Sequence, residues 1–345
     1  MSDDNFDSGN NEAIEQERAE LAQINQRSFF GRLGGYTKKC GPGWLQGAIT
    51  LGGGSLAGAL YLGVIGGTNF MWIQPLAMVL GIIMLSAIAY VTLSTGKRPF
   101  RAINQHVSPV LGWGWIIATI AANIIWCLPQ FNLAFGAVSK NLIPSVGDDN
   151  SSKYIVSGVI LAVTLLIVWS YGSGSKGVKF FETFLKIMVA FIVLSFVGVI
   201  VMLSISKDST LSWAEVFAGF VPDFGSLFRP SESFTPLIEA SSDPARFTTE
   251  VVGKQRDVIM AAFATAVGIN MTFLLPYSML KKGWGKEHRG LAIFDLSTGL
   301  FIPFFIATGC LVIAAATQFH GANLNYDKNP IIQEKVSATK RGRIG

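Results

Sequence analysis

Residues 43 to 65 read GWLQGAITLGGGSLAGALYLGVI, an almost wholly apolar stretch with three consecutive glycines in its middle. Its length suits a helix that crosses the ~30 Å hydrocarbon core of a bilayer. Six more apolar stretches of comparable length follow, at roughly 70–95, 113–137, 153–171, 179–204, 257–279 and 290–317. The chain is 50% hydrophobic and only 14% charged, where soluble domains carry about a quarter charged residues. These patterns predict an all-α polytopic membrane protein with about seven spans.

The basic residues predict the orientation of the chain, because short cytoplasmic loops carry an excess of Lys and Arg. They concentrate before the first span and in the second, fourth and sixth connections: Arg27, Arg32, Lys38, Lys39, Lys97, Arg98, Arg101, Lys176, Lys179, Lys281, Lys282, Lys286 and Arg289. The N-terminal tail, 1–40, is therefore predicted to be cytoplasmic, and its first 29 residues to be disordered or loosely helical. A transmembrane domain follows at 41–320, containing an external loop with short surface helices at 206–256, and a polar C-terminal tail occupies 321–345.

The glycine row Gly52, Gly53 and Gly54, followed by Ser55, predicts a break in the first span. Glycine inside a helix costs about 1 kcal/mol relative to alanine. In a bilayer, non-helical backbone persists only where it is buried in protein or lines a cavity. Unwound spans bind solutes near the membrane midplane through free carbonyls and half-helix ends. The alternative is that the glycines are small-residue contacts between helices.

A second weak point lies in the sixth span, where Gly268-Ile269-Asn270-Met271-Thr272 precedes Pro276. Asn270 and Thr272 are polar groups at mid-span, and proline removes a backbone hydrogen-bond donor. The two interrupted helices are predicted to form two halves of one solute site. The alternative for Asn270 is a hydrogen-bond link between helices.

Few other residues offer chemistry inside the predicted spans. Asn123 and Gln130 are polar points of the third span, while Glu182 and Asp295 lie near cytoplasmic span ends with Lys186 and Arg289 as candidate partners. Three scattered cysteines and three histidines lack the spacings of zinc sites, and phosphate-binding loops and nucleophile elbows are absent from the sequence. We therefore predict no enzyme, no cofactor and no nucleic-acid partner, since the basic residues sit in loops where topology explains them.

Several motifs in sequence order resemble the NRAMP family of divalent-metal transporters over about residues 41–320. They are Gly41-Pro42-Gly43, the break about ten residues later, Ser94-Thr95-Gly96-Lys97, the run Gly177 to Glu182 (GVKFFE) and the run Ala314 to His320 (AAATQFH). The resemblance implies a LeuT-type helical bundle with broken first and sixth helices. It places the first repeat at about 41–205 and the start of an inverted second repeat at 257–320. Family members take up Mn²⁺ or Fe²⁺, usually with protons.

The site residues implied by this resemblance depart from the family pattern. Gly52 stands at the metal-binding Asp, Gly53 at the Pro and Ser55 at the Asn of the first-span motif, while Val267, Asn270 and Thr272 stand at the Ala, Met and His of the sixth. The third-span acids fall on Ile120 and Asn123. The predicted substrate-binding residues are Gly52, Gly53, Gly54, Ser55, Val267, Asn270, Thr272 and Asn123, with Ser55 and Asn270 as metal ligands. Such a site is neutral and oxygen-only, which suits a hard, hydrated cation or a neutral solute better than Mn²⁺.

The sequence thus predicts an NRAMP-like secondary transporter of a small solute, by resemblance a divalent metal ion, in the cell (inner) membrane with the lipid bilayer as partner. Two alternatives stay open: a transporter of a neutral or monovalent solute without proton coupling, and a non-transporting membrane scaffold or truncated paralogue. Because a LeuT-type site needs the helices of both repeats, we expect three or more spans to be missing and the seven-span chain alone not to transport.

Overall fold

The computed structural model describes residues 11–39, 41–172, 175–206, 211–239 and 241–320, and every regular element in these ranges is helical. The helices are α1 (Asn11–Asn25), α2 (Phe29–Tyr36), α3 (Pro42–Thr50), α4 (Gly53–Gly66), α5 (Ile73–Thr95), α6 (Pro99–His106), α7 (Pro109–Ala137), α8 (Asn150–Gly172), α9 (Ser175–Ile205), α10 (Trp213–Ala218), α11 (Thr235–Glu239), α12 (Pro244–Ala266), α13 (Ile269–Lys281), α14 (Arg289–Gly299) and α15 (Phe301–Phe319). The predicted C-terminal tail, 321–345, lies outside the described residues.

The predicted class, an all-α polytopic membrane protein, is confirmed. Six helical segments in the described ranges are long and apolar enough to cross a membrane: Ile73–Thr95, Pro109–Leu142, Asn150–Trp169, Thr183–Ile205, Pro244–Lys281 and Lys286–Phe319. The first predicted span, 43–65, is not among these six, because the chain breaks within it and forms two shorter helices, α3 and α4. The sixth span is likewise divided into α12 and α13.

Glycine and proline mark the helix ends that the sequence pattern suggests. The helix α5 ends at Thr95, where Gly96 adopts a φ of 64°, and α6 begins shortly afterwards at Pro99. A left-handed residue ends a helix by satisfying its last carbonyls, and glycine takes that conformation without strain. Proline suits the first helical position, since the amide that it lacks has no partner there.

The N-terminal tail is more ordered than the sequence suggested. Two helices, α1 and α2, occupy most of residues 11–39; α1 packs on the connection between α13 and α14, and α2 packs on α14. Leu21 and Ile24 are buried, the Arg18 guanidinium donates to the carbonyl of Gly283 at 2.8 Å, and Asn25 donates to the carbonyl of Glu287 at 3.0 Å. These distant contacts stabilise a segment whose composition alone favours disorder.

The predicted external loop is shorter than 206–256, because α12 starts at Pro244. Its first turns are polar and charged, so hydropathy did not mark them as helix. One face of the extension is nevertheless buried, through Val251, Val252 and Gln255. The rest of the loop contains the short helices α10 and α11, as the sequence predicted for this region.

The chain divides into two compact units. Unit one contains the described residues of Met1–Gly53, Val79–Phe191 and Val267–Pro303, and unit two contains those of Gly54–Met78, Ile192–Ala266 and Phe304–Gly345. Both interrupted helices are therefore shared between the units, with the division at residues 53/54 and 266/267.

Unit one is organised by close packing of α3 on α14. A Cβ atom on Gly47 would lie 2.6 Å from the carbonyl oxygen of Gly299, and one on Gly43 would overlap the backbone of Asp295. Glycine at both positions, one turn apart on α3, lets the two backbones approach closely, as small residues do between membrane helices. The interface therefore depends on the absence of side chains rather than on apolar ones.

Unit two has an apolar core formed by α4, α5, α9, α10, α12 and α15. Its buried members are Ala59, Leu62, Phe70, Met71, Trp72, Ile73, Ile200, Val216, Ile259, Ala262, Val312 and Ile313. The loop after α10 is fixed to α12 by the fully buried Gln255, whose amide nitrogen donates to the carbonyls of Ser226 and Arg229, both at 3.0 Å. Its amide oxygen accepts from the backbone N–H of Ser231 at 2.8 Å.

Candidate functional site

The break in the first span lies at residues 51 and 52. The helix α3 ends at Thr50, Leu51 leaves the helical region with φ −78° and ψ 33°, and α4 begins at Gly53. None of the three glycines has a positive φ, since the positive-φ glycines of the described chain are at positions 67, 96, 147 and 283. A left-handed backbone therefore does not explain the glycine row.

Packing explains only one of these glycines. A Cβ atom on Gly53 would lie 2.5 Å from the side chain of Leu133 and 3.0 Å from the amide oxygen of Gln130. A Cβ atom on Gly52 would meet only the Ile49 carbonyl, at 3.2 Å, and one on Gly54 would make an ordinary 3.6 Å contact with Thr265. The alternative of small-residue contacts thus applies most clearly to Gly53, whereas at Gly52 a side chain would press only on a backbone carbonyl of its own segment.

The break in the sixth span lies at Val267 and Gly268, between α12 and α13. The amide oxygen of Asn270 accepts from the N–H of Met271 at 3.0 Å, at the first turn of α13. A Cβ atom on Gly268 would overlap this amide oxygen and would lie 3.2 Å from the ring of Trp126. Asn270 is half-buried, and its carboxamide is held beside the break.

Thr272 is already engaged by protein groups. Its hydroxyl donates to the carbonyl of Ile269 at 2.5 Å and accepts from the indole N–H of Trp115 at 3.3 Å. Its side chain is buried, and Trp115 also packs on Phe273. For Thr272 to bind a solute directly, one of these two hydrogen bonds has to be replaced.

A sulfur atom that sequence reasoning missed lies beside this break. The hydroxyl of Thr50, the last residue of α3, donates to the thioether of Met271 at 3.4 Å, and both residues are buried. The resemblance places Asn270, rather than Met271, at the family methionine. A methionine directly after the expected ligand Asn270 was the feature of the sequence that could have identified this sulfur.

Gln46 is the second missed residue. It is fully buried, and neither atom of its amide group has a hydrogen-bond partner among the described residues. Gln46 and Thr50 are four apart in α3, so they lie on one face of the helix. An unpartnered buried polar group costs about 1–3 kcal/mol, so this amide favours any ligand or water that reaches it. A glutamine inside an apolar span, close to the glycine row, was the signal.

The remaining predicted residues are dispersed. Asn123 is exposed on α7, and its amide donates to the carbonyl of Thr119 in the same helix at 2.8 Å. Val267 packs against Gly81 of α5. Gly54 and the buried Ser55 belong to unit two, whereas Asn270 and Thr272 belong to unit one. The pairing of Ser55 with Asn270 as metal ligands stays a prediction.

Acidic groups are scarce at both breaks. In the described ranges, His, Cys, Asp and Glu side chains form no group of three that could hold a metal ion. The buried Asp295 accepts from the backbone N–H groups of Gly43 and Gly41, while its expected partner Arg289 lies over the ring of Tyr90 and donates to Ser94. The side chain of Glu182 lies outside the described residues.

Comparison with known proteins adds one finding. A family model described as natural resistance-associated macrophage protein-like matches residues 43–331, which include both interrupted helices. No curated protein and no solved structure matches the chain.

Proposed function

Since the chain belongs to the natural resistance-associated macrophage protein-like (Nramp) family, we propose that its transport substrate is a divalent cation, which binds at the two helix breaks. The family assignment makes the chain a member of a class of membrane transporters and agrees with the absence of enzymatic motifs from its sequence. The family assignment does not identify the transported solute, so the divalent cation is our proposal.

One observation carries the proposal: both interrupted helices place non-helical backbone within apolar spans. The interruptions fall at Leu51–Gly52 and at Val267–Gly268. Backbone of this kind persists in a membrane only beside protein or a cavity, and transporters use it to bind ions. The carbonyls around these two interruptions are the proposed cation ligands, together with the Ser55 hydroxyl and the Asn270 amide.

The ligand chemistry favours a hard cation. Carbonyl, hydroxyl and amide oxygens are ligands that Mg²⁺ and Ca²⁺ accept, whereas soft metals gain from sulfur. The Met271 thioether accepts a hydrogen bond from Thr50 and is buried in the interface between α3 and α13. A neutral site compensates a divalent charge poorly, so we expect weak binding and a cation that keeps part of its water shell.

A neutral or monovalent solute moved without proton coupling is the second candidate. It is favoured by the unpartnered amide of Gln46, which offers one acceptor and two donors beside the first break. A buried amide suits a polar, uncharged solute better than it suits a divalent ion.

Uptake into proteoliposomes tests both candidates. Mg²⁺, Mn²⁺, Cd²⁺ and a panel of small neutral solutes are compared side by side, with the wild type, Ser55→Ala and Asn270→Ala. The matched control is Ser204→Ala, whose hydroxyl only donates to the Ile200 carbonyl of its own helix. Cation uptake that falls in both site variants and not in the control supports the proposal. Unchanged interactions with every solute in correctly inserted site variants would favour a non-transporting scaffold.

We also propose that the N-terminus is cytoplasmic and that the loop following α9 is on the opposite side of the cell membrane. The support is the asymmetric distribution of Lys and Arg between alternate loops. A cysteine replacing the exposed Glu232 is expected to react with an impermeant reagent from outside only. Modification from the cytoplasmic face alone would reverse the assigned topology.

A further inference from the structure

The segment Arg27–Lys39, which contains α2, has an unusual surface. It carries Arg27, Arg32, Lys38 and Lys39 and no acidic residue. At its start, the rings of Phe29 and Phe30 stack edge to face with centroids 5.5 Å apart. Their exposed fractions are 62% and 82%, so the protein covers little of either ring. The segment therefore combines an exposed aromatic pair with several positive charges.

The other end of the same helix is firmly attached. Tyr36 is buried, its hydroxyl donates to the Asn25 amide oxygen at 2.5 Å, and its ring lies 5.6 Å from that of Phe294 in α14. A Cβ atom on Gly290 would lie 2.6 Å from the Tyr36 hydroxyl, so glycine there makes room for the contact. The last turn of α2 is thus packed against α14, while Phe29 and Phe30 in its first turn remain exposed.

The position of the segment brings it to a membrane surface. Residue 39 is followed within three residues by α3, the first half of a membrane helix, and Phe294 lies within the candidate span Lys286–Phe319. Basic residues directly beside a membrane helix are attracted to anionic lipid headgroups, and aromatic rings favour the bilayer interface. Lys39 is paired with Glu20 at 2.8 Å, which leaves Arg27, Arg32 and Lys38 for the lipid.

We propose that the segment 27–39 is a lipid-binding anchor: Arg27, Arg32 and Lys38, which form no ion pair with a described residue, bind anionic phospholipid headgroups, and Phe29 and Phe30 enter the interfacial layer of the same leaflet. The occupant is a bilayer rather than a protein, because the exposed groups combine the two features that an anionic interface recognises, positive charge and aromatic rings. The neighbouring helix α1 carries Glu12, Glu15 and Glu17 and is expected to stay in the aqueous phase.

A fluorescent label tests the anchor in the full-length protein. Ser28→Cys, in a background with Cys40, Cys127 and Cys310 replaced by serine, places a polarity-sensitive dye beside both rings without removing either. The protein is placed in nanodiscs of phosphatidylcholine, with or without phosphatidylglycerol. Quenching by aqueous iodide and by brominated lipid is measured at low and at high salt. The same dye at the exposed position Gln16→Cys on α1 is the control.

In phosphatidylglycerol we expect the Ser28 dye to be shielded from iodide and quenched by brominated lipid, and the Gln16 dye to remain open to iodide. Replacing Arg27, Arg32 and Lys38 by glutamine should lower the ratio of iodide-shielded to iodide-accessible Ser28 dye about fivefold per charge removed. High salt should lower the same ratio in the wild type, because it screens the attraction to the headgroups. Phe29→Ser with Phe30→Ser should abolish the quenching by brominated lipid.

Two outcomes would overturn the anchor. One is a Ser28 dye that iodide reaches as readily as the Gln16 dye in both lipid mixtures. The other is shielding of equal strength in detergent and in both lipid mixtures, since this would mean that protein, from this or a second copy, covers the aromatic pair.

Discussion

A carboxylate oxygen of Asp295 lies 2.6 Å from the backbone nitrogen of Gly43, and the other carboxylate oxygen lies 3.1 Å from that of Gly41. The side chain is 1% exposed. An acid at a helix N-terminus satisfies N–H groups that have no partner inside the helix and interacts favourably with the helix dipole. This acid therefore fixes the beginning of α3 to α14.

Asp295→Asn is expected to destabilise unit one. The amide keeps the shape of the side chain and loses the charge, and hydrogen bonds to charged groups contribute about 1.5–3 kcal/mol. Thermal unfolding of the purified protein in detergent measures the effect. Glu250→Gln, which disrupts an exposed pair with Arg246, is the control and should change the midpoint little. Equal midpoints for both variants would mean that the Asp295 contacts contribute nothing.

Two glycines of the first span are expected to differ in their tolerance of alanine. In Gly47→Ala the new methyl group would lie 2.6 Å from the carbonyl oxygen of Gly299, and overpacking of this kind costs about 1–3 kcal/mol. In Gly54→Ala the methyl group meets Thr265 at 3.6 Å, so the variant should be as stable as the wild type or slightly more stable. The comparison is made from the thermal unfolding midpoints of both variants and the wild type in the same detergent. A less stable Gly54→Ala variant would contradict the geometry of the break.

Gln255→Leu is expected to release the loop that follows α10. The substitution leaves the carbonyls of Ser226 and Arg229 and the N–H of Ser231 without their buried partner, at roughly 1–3 kcal/mol for each group that water does not reach. Limited proteolysis should cut residues 222–239 faster. The exposed Arg256→Ala change on the same helix should leave the rate unchanged. A protected loop in Gln255→Leu would show that other contacts hold it.

The unmodified site is expected to bind cations weakly and without preference for Mn²⁺ over Mg²⁺, because its proposed ligands are neutral oxygens. Gly52→Asp, Ser55→Asn and Asn270→Met together should raise the affinity for Mn²⁺ and Cd²⁺, provided that the Ile49 carbonyl, 3.2 Å from a Cβ atom at position 52, shifts by a few tenths of an ångström. Calorimetry compares the wild type with this triple variant. A second triple variant, with Asn270→Leu in place of Asn270→Met, keeps the added carboxylate but lacks the thioether, so it shows how much of the gain in affinity comes from each group. Micromolar Mn²⁺ binding by the wild type would mean that Met271 or an unrecognised acid is a ligand.

Solute movement is expected to be nearly independent of a pH gradient. The resemblance to the family is expected to place Ile120 and Asn123 where acids serve proton movement, and the Asp295 carboxylate accepts from two backbone N–H groups. Proteoliposomes loaded with a pH-sensitive dye measure the coupling, with a protonophore as the control. Acidification of the lumen driven by solute uptake would contradict the prediction.

Local sequence determined the helical segments and their interruptions. A run of about 20 apolar residues is long enough for a span wherever it lies in the chain, and glycines in a row weaken a helix at their own position. The breaks at Leu51–Gly52 and Val267–Gly268 could therefore be predicted from the residues around them. The motifs also sufficed to predict the family, because their order and spacing are properties of the sequence alone.

Only the tertiary structure decided which groups meet. Asp295 and Gly43 are 252 residues apart, and Thr50 and Met271 are 221 apart, so no local pattern connects them. Hydropathy reports how much of a segment is buried but does not identify its partner. For the same reason it missed the polar start of α12 and the order of the N-terminal tail, where a few buried side chains and long-range hydrogen bonds outweigh a polar composition.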